Sequence, residues 1–132
     1  KIYPGIREEV LTHFVDNYEG IVLEGTGLGH VPEYLLPALA RGVKEGKFFV
    51  MTTQTLYGRV DMKVYSTGRK LLALGVIPGD DMLPEVAYVK LMHVLGHTKE
   101  KEEVMRLMTT NIAGEITLRS DIAATDSGWK TE

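Results

Sequence analysis

The sequence predicts an α/β domain of three layers, in which a small parallel sheet of about four strands is covered by helices on both faces. Two short and uniformly apolar runs, Ile21–Leu23 and Phe48–Met51, have the composition of strands that are buried on both faces. Around these runs, apolar residues recur at helical spacing. Because strands and helices alternate along the chain, a parallel sheet is favoured.

In the first part of the chain, the residue pattern predicts a strand, a helix, a second strand, a loop and a second helix. Lys1–Tyr3 is predicted as a short strand that Pro4–Gly5 ends. An amphipathic helix follows and ends at Gly20. Its apolar residues are Ile6, Val10, Leu11, Phe14 and Tyr18. The strand Ile21–Leu23 leads into a glycine-rich loop, and Pro32 begins the next helix.

The second part continues the alternation. Phe48–Met51 is the next buried strand, Val60–Leu74 is predicted to be helical, and Gly75–Pro78 is predicted as a short strand or turn. Pro84 begins a helix whose apolar residues lie on several faces, so we expect it to be buried or covered by a partner. Lys99–Met108 is predicted as the last helix. This order is typical of Rossmann-like and flavodoxin-like folds.

Length and composition restrict the possible classes of protein. The 132 residues fit one compact domain, which we expect over residues 1–120, with a frayed tail over residues 121–132. The net charge of −3 provides no electrostatic footprint for direct nucleic-acid binding. The absence of cysteine excludes disulfides and thiolate metal sites, and it agrees with a cytoplasmic location. No apolar run approaches the ~20 residues that a membrane span needs, and no signal peptide is visible.

The glycine-rich loop is the first candidate site, since ligands bind at the carboxyl ends of strands in such sheets. Gly25–His30 is similar to a dinucleotide fingerprint, but His30 stands where that pattern has its third glycine. A dinucleotide is therefore disfavoured. Two interpretations remain open: a main-chain cradle for a small acidic ligand, or a strand-to-helix connection that only requires small residues.

Polar residues after the next buried strand form a second candidate site. Thr52–Thr55, with Tyr57 and Arg59, can bind polar substrate groups at the end of a strand. The same residues can cap the next helix and satisfy loop amides instead. The second interpretation is favoured.

Two further groups have simpler explanations. His93 and His97 have the i, i+4 spacing of zinc ligands, but no third ligand is indicated. Asp80 and Asp81 fit the first turn of a helix. No P-loop, nucleophile elbow or nucleophile–base pair is present in the sequence, so it predicts a domain near a ligand without its own catalytic group.

Four stretches together carry a resemblance to a known family. They are GIVLEGTGLGHVP (20–32), MTTQTLYGRV (51–60), VYSTGRKLL (64–72) and DMLPEVAYVKLM (81–92). The chain resembles, over residues 1–116, the C-terminal domain of the asparaginase/glutaminase family. Among its branches, these stretches most resemble the ammonia-generating subunits of archaeal Glu-tRNA(Gln) amidotransferases, with the archaeal type I L-asparaginases as a near second.

The resemblance implies that the catalytic residues lie elsewhere. Family members have a larger N-terminal domain with two catalytic threonines, an aspartate and a lysine, and they need no cofactor or metal. The resemblance also implies a homodimer in which this domain faces the neighbouring subunit's active site, and, in the amidotransferase branch, a tRNA-binding partner subunit. The substrate-binding residues expected here in trans are His30, Gly29, Gly27 and Thr26. The possible loop contacts are Gln54, Tyr57 and Arg59.

Overall fold

The computed structural model describes residues 1–117, so the expected tail lies outside the described residues. Its helices are α1 (Glu8–Asn17), α2 (Leu36–Lys44), α3 (Ser66–Leu74), α4 (Pro84–His97) and α5 (Lys101–Thr109). Its strands are β1 (Gly20–Gly25), β2 (Phe48–Thr53) and β3 (Ile77–Pro78). A single 3₁₀ turn, Glu33–Leu35, leads into α2.

The described residues form one parallel sheet of three strands in the order β1-β2-β3. β1 and β2 pair over their whole length, from Gly20 opposite Phe48 to Gly25 opposite Thr53. β3 pairs with β2 at Val50 and at the residue that follows it. The predicted α/β class is confirmed, and each parallel pair is joined by a crossover that contains a helix.

The prediction that Lys1–Tyr3 is a strand is wrong. The segment makes one ladder-like bond, from Ile2 N–H to the Glu24 carbonyl at 3.0 Å. The carbonyl of Ile2, which would continue the ladder, accepts a hydrogen bond from the Gln54 side chain instead. A side chain thus replaces main-chain pairing there, and three of the roughly four predicted strands occur in residues 1–117.

The helix predicted over Val60–Leu74 begins only at Ser66. The main-chain N–H groups of the first two residues in that range form hydrogen bonds with distant parts of the chain. Val60 N–H donates to the Asp80 carbonyl at 2.9 Å, and Asp61 N–H donates to the Leu28 carbonyl at 3.0 Å. Because these bonds hold the segment between two other loops, its backbone is not free to wind into a helix.

Successive side chains of the strands point to opposite faces of the sheet, and each face contributes to one hydrophobic core. Ile21, Leu23, Phe49 and Met51 pack with α1, α2 and α3 on one face, and burial of each side chain stabilises the fold by about 1.5–3 kcal/mol. On the opposite face, Val50 and its neighbours pack with α4 and α5. Helices therefore cover both faces of the sheet, as three layers require.

The helix α4 is only half covered. Ala87, Leu91 and Val94 are buried against the sheet, whereas Val89 and Met92 on the outer side are exposed. The expectation that α4 is buried or covered by a partner therefore holds for its inner face within residues 1–117. No described helix is both long enough and apolar enough to cross a membrane.

Candidate functional site

The candidate site lies where β1 and β2 end side by side. β1 ends at Gly25 and β2 ends at Thr53, and these two residues are partners in the register. The loops that follow them are therefore neighbours at the carboxyl edge of the sheet, the edge at which ligands bind in this architecture. We call residues 25–30 the glycine loop.

The glycine loop closes on itself through main-chain bonds. Thr26 N–H donates to the His30 carbonyl at 3.1 Å, and His30 N–H donates back to the Thr26 carbonyl at 3.0 Å. Between them, Gly27 and Gly29 have φ values of +52° and +97°. Left-handed backbone of this kind favours glycine, which explains why a reversal in so few residues needs two of them.

Close packing adds a second requirement at Gly29. A Cβ at this position would lie 2.9 Å from Met51 Cγ and 3.0 Å from Val60 Cγ1. At Gly27, in contrast, a Cβ would meet nothing within 4 Å. Gly29 therefore allows the loop to lie directly against β2, while Gly27 supplies only the turn.

Threonine hydroxyls anchor the glycine loop to β2. Thr53 Oγ1 donates to the Gly27 carbonyl and lies 2.5 Å from Thr55 Oγ1. One residue earlier, Thr52 Oγ1 donates to the Leu23 carbonyl at 3.1 Å. The expectation that this threonine cluster satisfies loop groups fits these bonds. Capping of the next helix does not fit, because α3 begins well after the cluster.

His30 ends the loop and is half-buried. Its ring meets the Tyr65 ring edge-on, with centroids 5.0 Å apart and an interplanar angle of 73°. Its Nε2 atom is buried and has no hydrogen-bond partner within residues 1–117. A buried polar atom without a partner costs about 1–3 kcal/mol, so a group that fills this position would recover that free energy.

The contact with Tyr65 could not be inferred from sequence. Tyr65 lies far along the chain from His30, directly before α3, and no periodicity connects the two residues. The long irregular segment that replaces the first part of the predicted helix brings the tyrosine to the glycine loop. An aromatic residue just before a helix start was the only signal available.

Of the three predicted loop contacts, Gln54 stabilises the carboxyl edge of the sheet through its side-chain amide. Its amide donates to the Ile2 carbonyl and, at 3.0 Å, to the Glu24 carbonyl. These bonds tie the amino-terminal segment to the end of β1. The amide hydrogens are therefore used within the domain.

Of the other two predicted loop contacts, Tyr57 faces outward and Arg59 faces the end of the described chain. Tyr57 is 92% exposed and therefore free to meet another surface. Arg59 donates to the Thr117 carbonyl and also faces Asp80 and Asp81, at 3.6 Å and 3.7 Å. Tyr57 is thus the more accessible of the two for a partner surface.

Histidines of α4 bond within their own helix. His97 Nδ1 lies 2.7 Å from the His93 carbonyl, and the two ring centroids are 4.4 Å apart. Across residues 1–117, no group of three or more His, Cys, Asp or Glu side chains is arranged to hold a metal ion. The pair is therefore explained by local packing at the end of α4.

The buried threonines also lack the surroundings of a nucleophile. A threonine hydroxyl becomes nucleophilic when a base accepts its proton. The hydroxyls of Thr52 and Thr53 instead face main-chain carbonyls and Thr55. Within the described part of the chain, these two hydroxyls therefore stabilise the strand ends and the glycine loop.

Comparison with known proteins places this arrangement in a family. The glutaminase/asparaginase C-terminal domain family matches residues 1–108. One relative is the D component of the glutamyl-tRNA(Gln) amidotransferase of Pyrococcus abyssi, which is 61% identical over 118 residues, 89% of this chain and 27% of that protein. The corresponding amidotransferase component of Methanopyrus kandleri is 64% identical over 117 residues, 88% of this chain and 26% of that protein.

Solved structures agree with the sequence comparison. The thermostable L-asparaginase from Thermococcus kodakarensis matches with a TM-score of 0.83 and 47% identity, over 88% of this chain and 36% of that one. L-asparaginase I from Vibrio cholerae matches with a TM-score of 0.80 and 38% identity, over 89% of this chain and 36% of that one. The chain spans about a quarter of the length of the curated relatives. It belongs to the glutaminase/asparaginase family, whose C-terminal domain it represents.

Proposed function

We propose that this domain is the C-terminal part of the ammonia-generating subunit of an archaeal Glu-tRNA(Gln) amidotransferase. The support is the identity of 61% and 64% to two amidotransferase components, against 47% and 38% to two L-asparaginases. In the whole enzyme, ammonia released by this subunit passes to a tRNA-binding partner subunit. There, after a nucleoside triphosphate has phosphorylated the side-chain carboxylate of the glutamyl group on the tRNA, ammonia displaces the phosphate and forms the glutaminyl amide.

The proposed reaction is hydrolysis of the side-chain amide of glutamine or asparagine. A threonine hydroxyl oxygen bonds to the amide carbon, the carbon–nitrogen bond breaks, and the nitrogen leaves as ammonia after gaining a proton. Water then attacks the acyl-threonine ester, which releases the carboxylic acid and restores the hydroxyl. The attacking threonine belongs to another domain of the longer protein, and this chain contributes binding groups only.

His30 is the proposed contact to the substrate. Its Nε2, which is buried and has no hydrogen-bond partner within residues 1–117, is the observation that carries the proposal. A carboxylate or amino group of the substrate, or a side chain of the facing active site, would supply the missing hydrogen bond. Gly27, Gly29 and Thr26 hold the histidine at the end of the strand through the closed loop. In a close dimer, this loop would complete the neighbouring subunit's site.

The test is His30→Ala in the full-length enzyme. We expect the Michaelis constant to rise by about tenfold to 150-fold with a smaller change in turnover number, since loss of one hydrogen bond to a charged group costs about 1.5–3 kcal/mol of binding. His30→Gln retains an amide that can reach part of the position and should recover some of the affinity. Unchanged kinetics in both variants would leave His30 with a purely structural role.

The first alternative, a free L-asparaginase, is separated by a simple assay. In that case the full-length chain hydrolyses asparagine at its full rate alone and gains nothing from a tRNA-binding partner subunit with bound Glu-tRNA(Gln). The second alternative, a non-catalytic binding or dimerisation module, describes the isolated fragment, and it predicts, as the proposed function does, that the 132-residue chain alone releases no ammonia from either amide. We expect the isolated chain to be inactive, and turnover by it, with contamination excluded, would contradict the proposed division of labour.

A further inference from the structure

The segment of residues 59–61 lies against the glycine loop, and we call it the bridging segment. Asp61 N–H donates to the Leu28 carbonyl in the glycine loop at 3.0 Å. Val60 is only 4% exposed, and its Cγ1 atom lies 3.0 Å from the position that a Cβ of Gly29 would occupy. One hydrogen bond and one apolar contact therefore join the bridging segment to the two residues that precede the loop histidine.

The bridging segment also leads to the aromatic ring that contacts His30. Asp61 Oδ1 accepts from Lys63 N–H at 3.1 Å, and this short turn carries the chain toward Tyr65. The Tyr65 ring meets the His30 ring edge-on. The backbone that precedes the histidine and the ring that packs against it therefore both depend on where the bridging segment lies.

Arg59 anchors the start of the bridging segment through charged groups. Its guanidinium lies 3.6 Å from an oxygen of Asp80 and 3.7 Å from an oxygen of Asp81, and it donates to the Thr117 carbonyl. Asp81 also accepts from Thr117 N–H at 3.1 Å. The exposed fractions of the three charged side chains are 28%, 33% and 22%, so solvent screens this cluster less than it screens a fully exposed pair.

Asp80, the residue that faces Arg59, has an unusual backbone conformation. Its φ of +53° is the one positive φ of a residue other than glycine within residues 1–117. Its carbonyl accepts from Val60 N–H at 2.9 Å, while its carboxylate faces Arg59. Left-handed backbone is unfavourable for a residue with a side chain, and it persists where the surrounding structure holds it. Asp80 therefore binds two consecutive residues of the bridging segment at a cost in its own backbone.

The surroundings of Arg59 argue against a direct contact between its guanidinium and an amino-acid substrate. A substrate carboxylate would compete with the two carboxylates that already face the guanidinium. A substrate amino group is a cation, and the arginine would repel it. Arg59 is therefore suited to holding the protein chain at the site and not to holding a ligand.

We propose that Arg59 is a positioning residue for His30, and that it acts by holding the bridging segment against the glycine loop. The inference rests on the proposed function, in which His30 contacts the substrate. Without the guanidinium, Asp80 and Asp81 would be left as neighbouring carboxylates with no cation facing both of them, and they would repel each other. The bond from Val60 N–H to the Asp80 carbonyl would lose its support, and the glycine loop would lose the contacts that the bridging segment provides.

The kinetic test compares Arg59→Gln, Arg59→Lys and Arg41→Gln in the full-length enzyme. We expect Arg59→Gln to raise the Michaelis constant about threefold to tenfold while the turnover number changes less than about twofold, as for a residue that acts on binding from a distance. Arg59→Lys keeps the positive charge and should recover part of the affinity. Arg41 also lies between two carboxylates, Asp16 and Glu45, but at the end of α2 that precedes the start of β2, at the opposite edge of the sheet. Arg41→Gln should therefore change neither constant.

A double variant separates positioning from direct contact. If Arg59 acts through His30, adding Arg59→Gln to His30→Ala should change the Michaelis constant by less than about twofold. A guanidinium that touched the substrate itself would give two effects that multiply. That result would overturn the proposal.

Nuclear magnetic resonance tests the positioning without any substrate. In the full-length enzyme with isotope-labelled histidine, the signal that His30→Ala removes belongs to His30. Arg59→Gln should shift this signal and leave the other histidine signals in place, whereas Arg41→Gln should shift none of the signals near the site. If Arg59→Gln does not fold, Arg59→Lys takes its place in this comparison, with a smaller shift expected.

The two measurements keep this inference separate from the proposed function. If His30→Ala has no effect on the kinetics, the proposed role of His30 in binding substrate fails, and the resonance alone decides whether Arg59 positions the ring. An unchanged His30 signal in a folded Arg59 variant would overturn the inference, whatever the kinetics show.

Discussion

Two irregular regions of this domain are held in place by different physics. The glycine loop follows β1, and the segment of residues 110–117 follows α5; we call the second region the closing segment. In the glycine loop, two positive φ angles and neutral hydrogen bonds determine the path of the chain. In the closing segment, charged side chains do so. Beyond the end of β1 at Gly25, neither region contains a helix or a strand, yet both are tied to the sheet or its helices.

A buried ion pair organises the closing segment. Lys90 Nζ donates to Glu115 Oε1 and to the Thr110 carbonyl, both at 2.6 Å. The same carboxylate accepts from the N–H groups of Ile112 and Ala113. Lys90 and Glu115 are only 6% and 11% exposed at the side chain, so water is a poor alternative partner for either charge.

This difference predicts which of the two regions should change its structure when pH changes. The hydrogen bonds and backbone angles that close the glycine loop involve no charged group, so this closure should change little with salt concentration. A buried carboxylate changes charge when pH falls, so the closing segment should loosen in acid.

The largest expected effect is on the closing segment. Lys90→Met removes one partner of the buried pair and leaves the Glu115 carboxylate without its cation, which should lower the free energy of unfolding by about 3 kcal/mol. Urea unfolding measures the loss. Arg106→Met is the matched control, because Arg106 pairs with Glu103 on an exposed face, where solvent screens the two charges, so its loss of stability should be much smaller. Equal losses in the two variants would show that burial of the pair has no consequence.

Acid provides the next test. Burial alone would raise the pKa of Glu115, but the hydrogen bonds from Lys90 and from Ala113 and Ile112 N–H outweigh it and lower the pKa from 4.5 to about 2. Because the folded-state pKa is the lower one, this contribution to stability is complete above about pH 5 and is lost as pH falls toward 2. The loss is roughly 3 kcal/mol.

The readout is the free energy of unfolding between about pH 7 and about pH 2.5. Other carboxylates also titrate in this range, so the comparison is between the parent chain and Glu115→Gln, which keeps an acceptor for the two N–H groups. The parent should lose more stability in acid than the variant does. Parallel curves for the two proteins would contradict the assignment of a low pKa to Glu115.

The glycine loop should be sensitive to an added methyl group at Gly29. Gly29→Ala places a Cβ against Met51 and Val60 at a φ of +97°, and we expect a loss of about 2–3 kcal/mol from strain and overpacking together. Gly27→Ala has positive φ but open space around its Cβ, so it should lose about 1 kcal/mol. The order of the two thermal midpoints checks this, and the reverse order would argue against close packing at Gly29.

Local patterns in the sequence predicted the parts of the fold that depend on them. Apolar runs located β1 and β2, glycines and prolines located most helix ends, and the parallel rule placed the glycine loop and the threonine cluster at one edge. The failures occur where distant groups compete for main-chain partners. Residues 1–3 lose a ladder carbonyl to the Gln54 side chain, and the start of the predicted third helix is held by Asp80 and Leu28.

The same limit applies to the candidate site. A glycine-rich loop ending in histidine was visible in the sequence, because it follows a strand directly. The surroundings of His30 were not visible in the sequence. Its contact with the Tyr65 ring and the burial of its Nε2 depend on how a distant loop folds back against the glycine loop. Similarly, no spacing indicated that Lys90 on α4 would pair with Glu115 in the closing segment.

The smallest expected effect concerns how the glycine loop is anchored. Thr53→Val keeps the shape of the side chain but removes the hydrogen bond to the Gly27 carbonyl, at a cost of about 1 kcal/mol. Thr52→Val is the matched control, since it removes a similar buried bond, to the Leu23 carbonyl, away from the loop. Both variants should lose similar stability by urea unfolding.

Of these two variants, only Thr53→Val should affect the position of His30. Because Thr53 holds the loop that ends at His30, Thr53→Val should shift the imidazole resonances of His30 and raise the Michaelis constant of the full-length enzyme about twofold to fivefold. Thr52→Val should change neither, since its bond lies within the sheet. Identical histidine resonances in the two variants would mean that the main-chain closure between Thr26 and His30 fixes the loop alone, and that the hydroxyl stabilises the sheet without positioning the site.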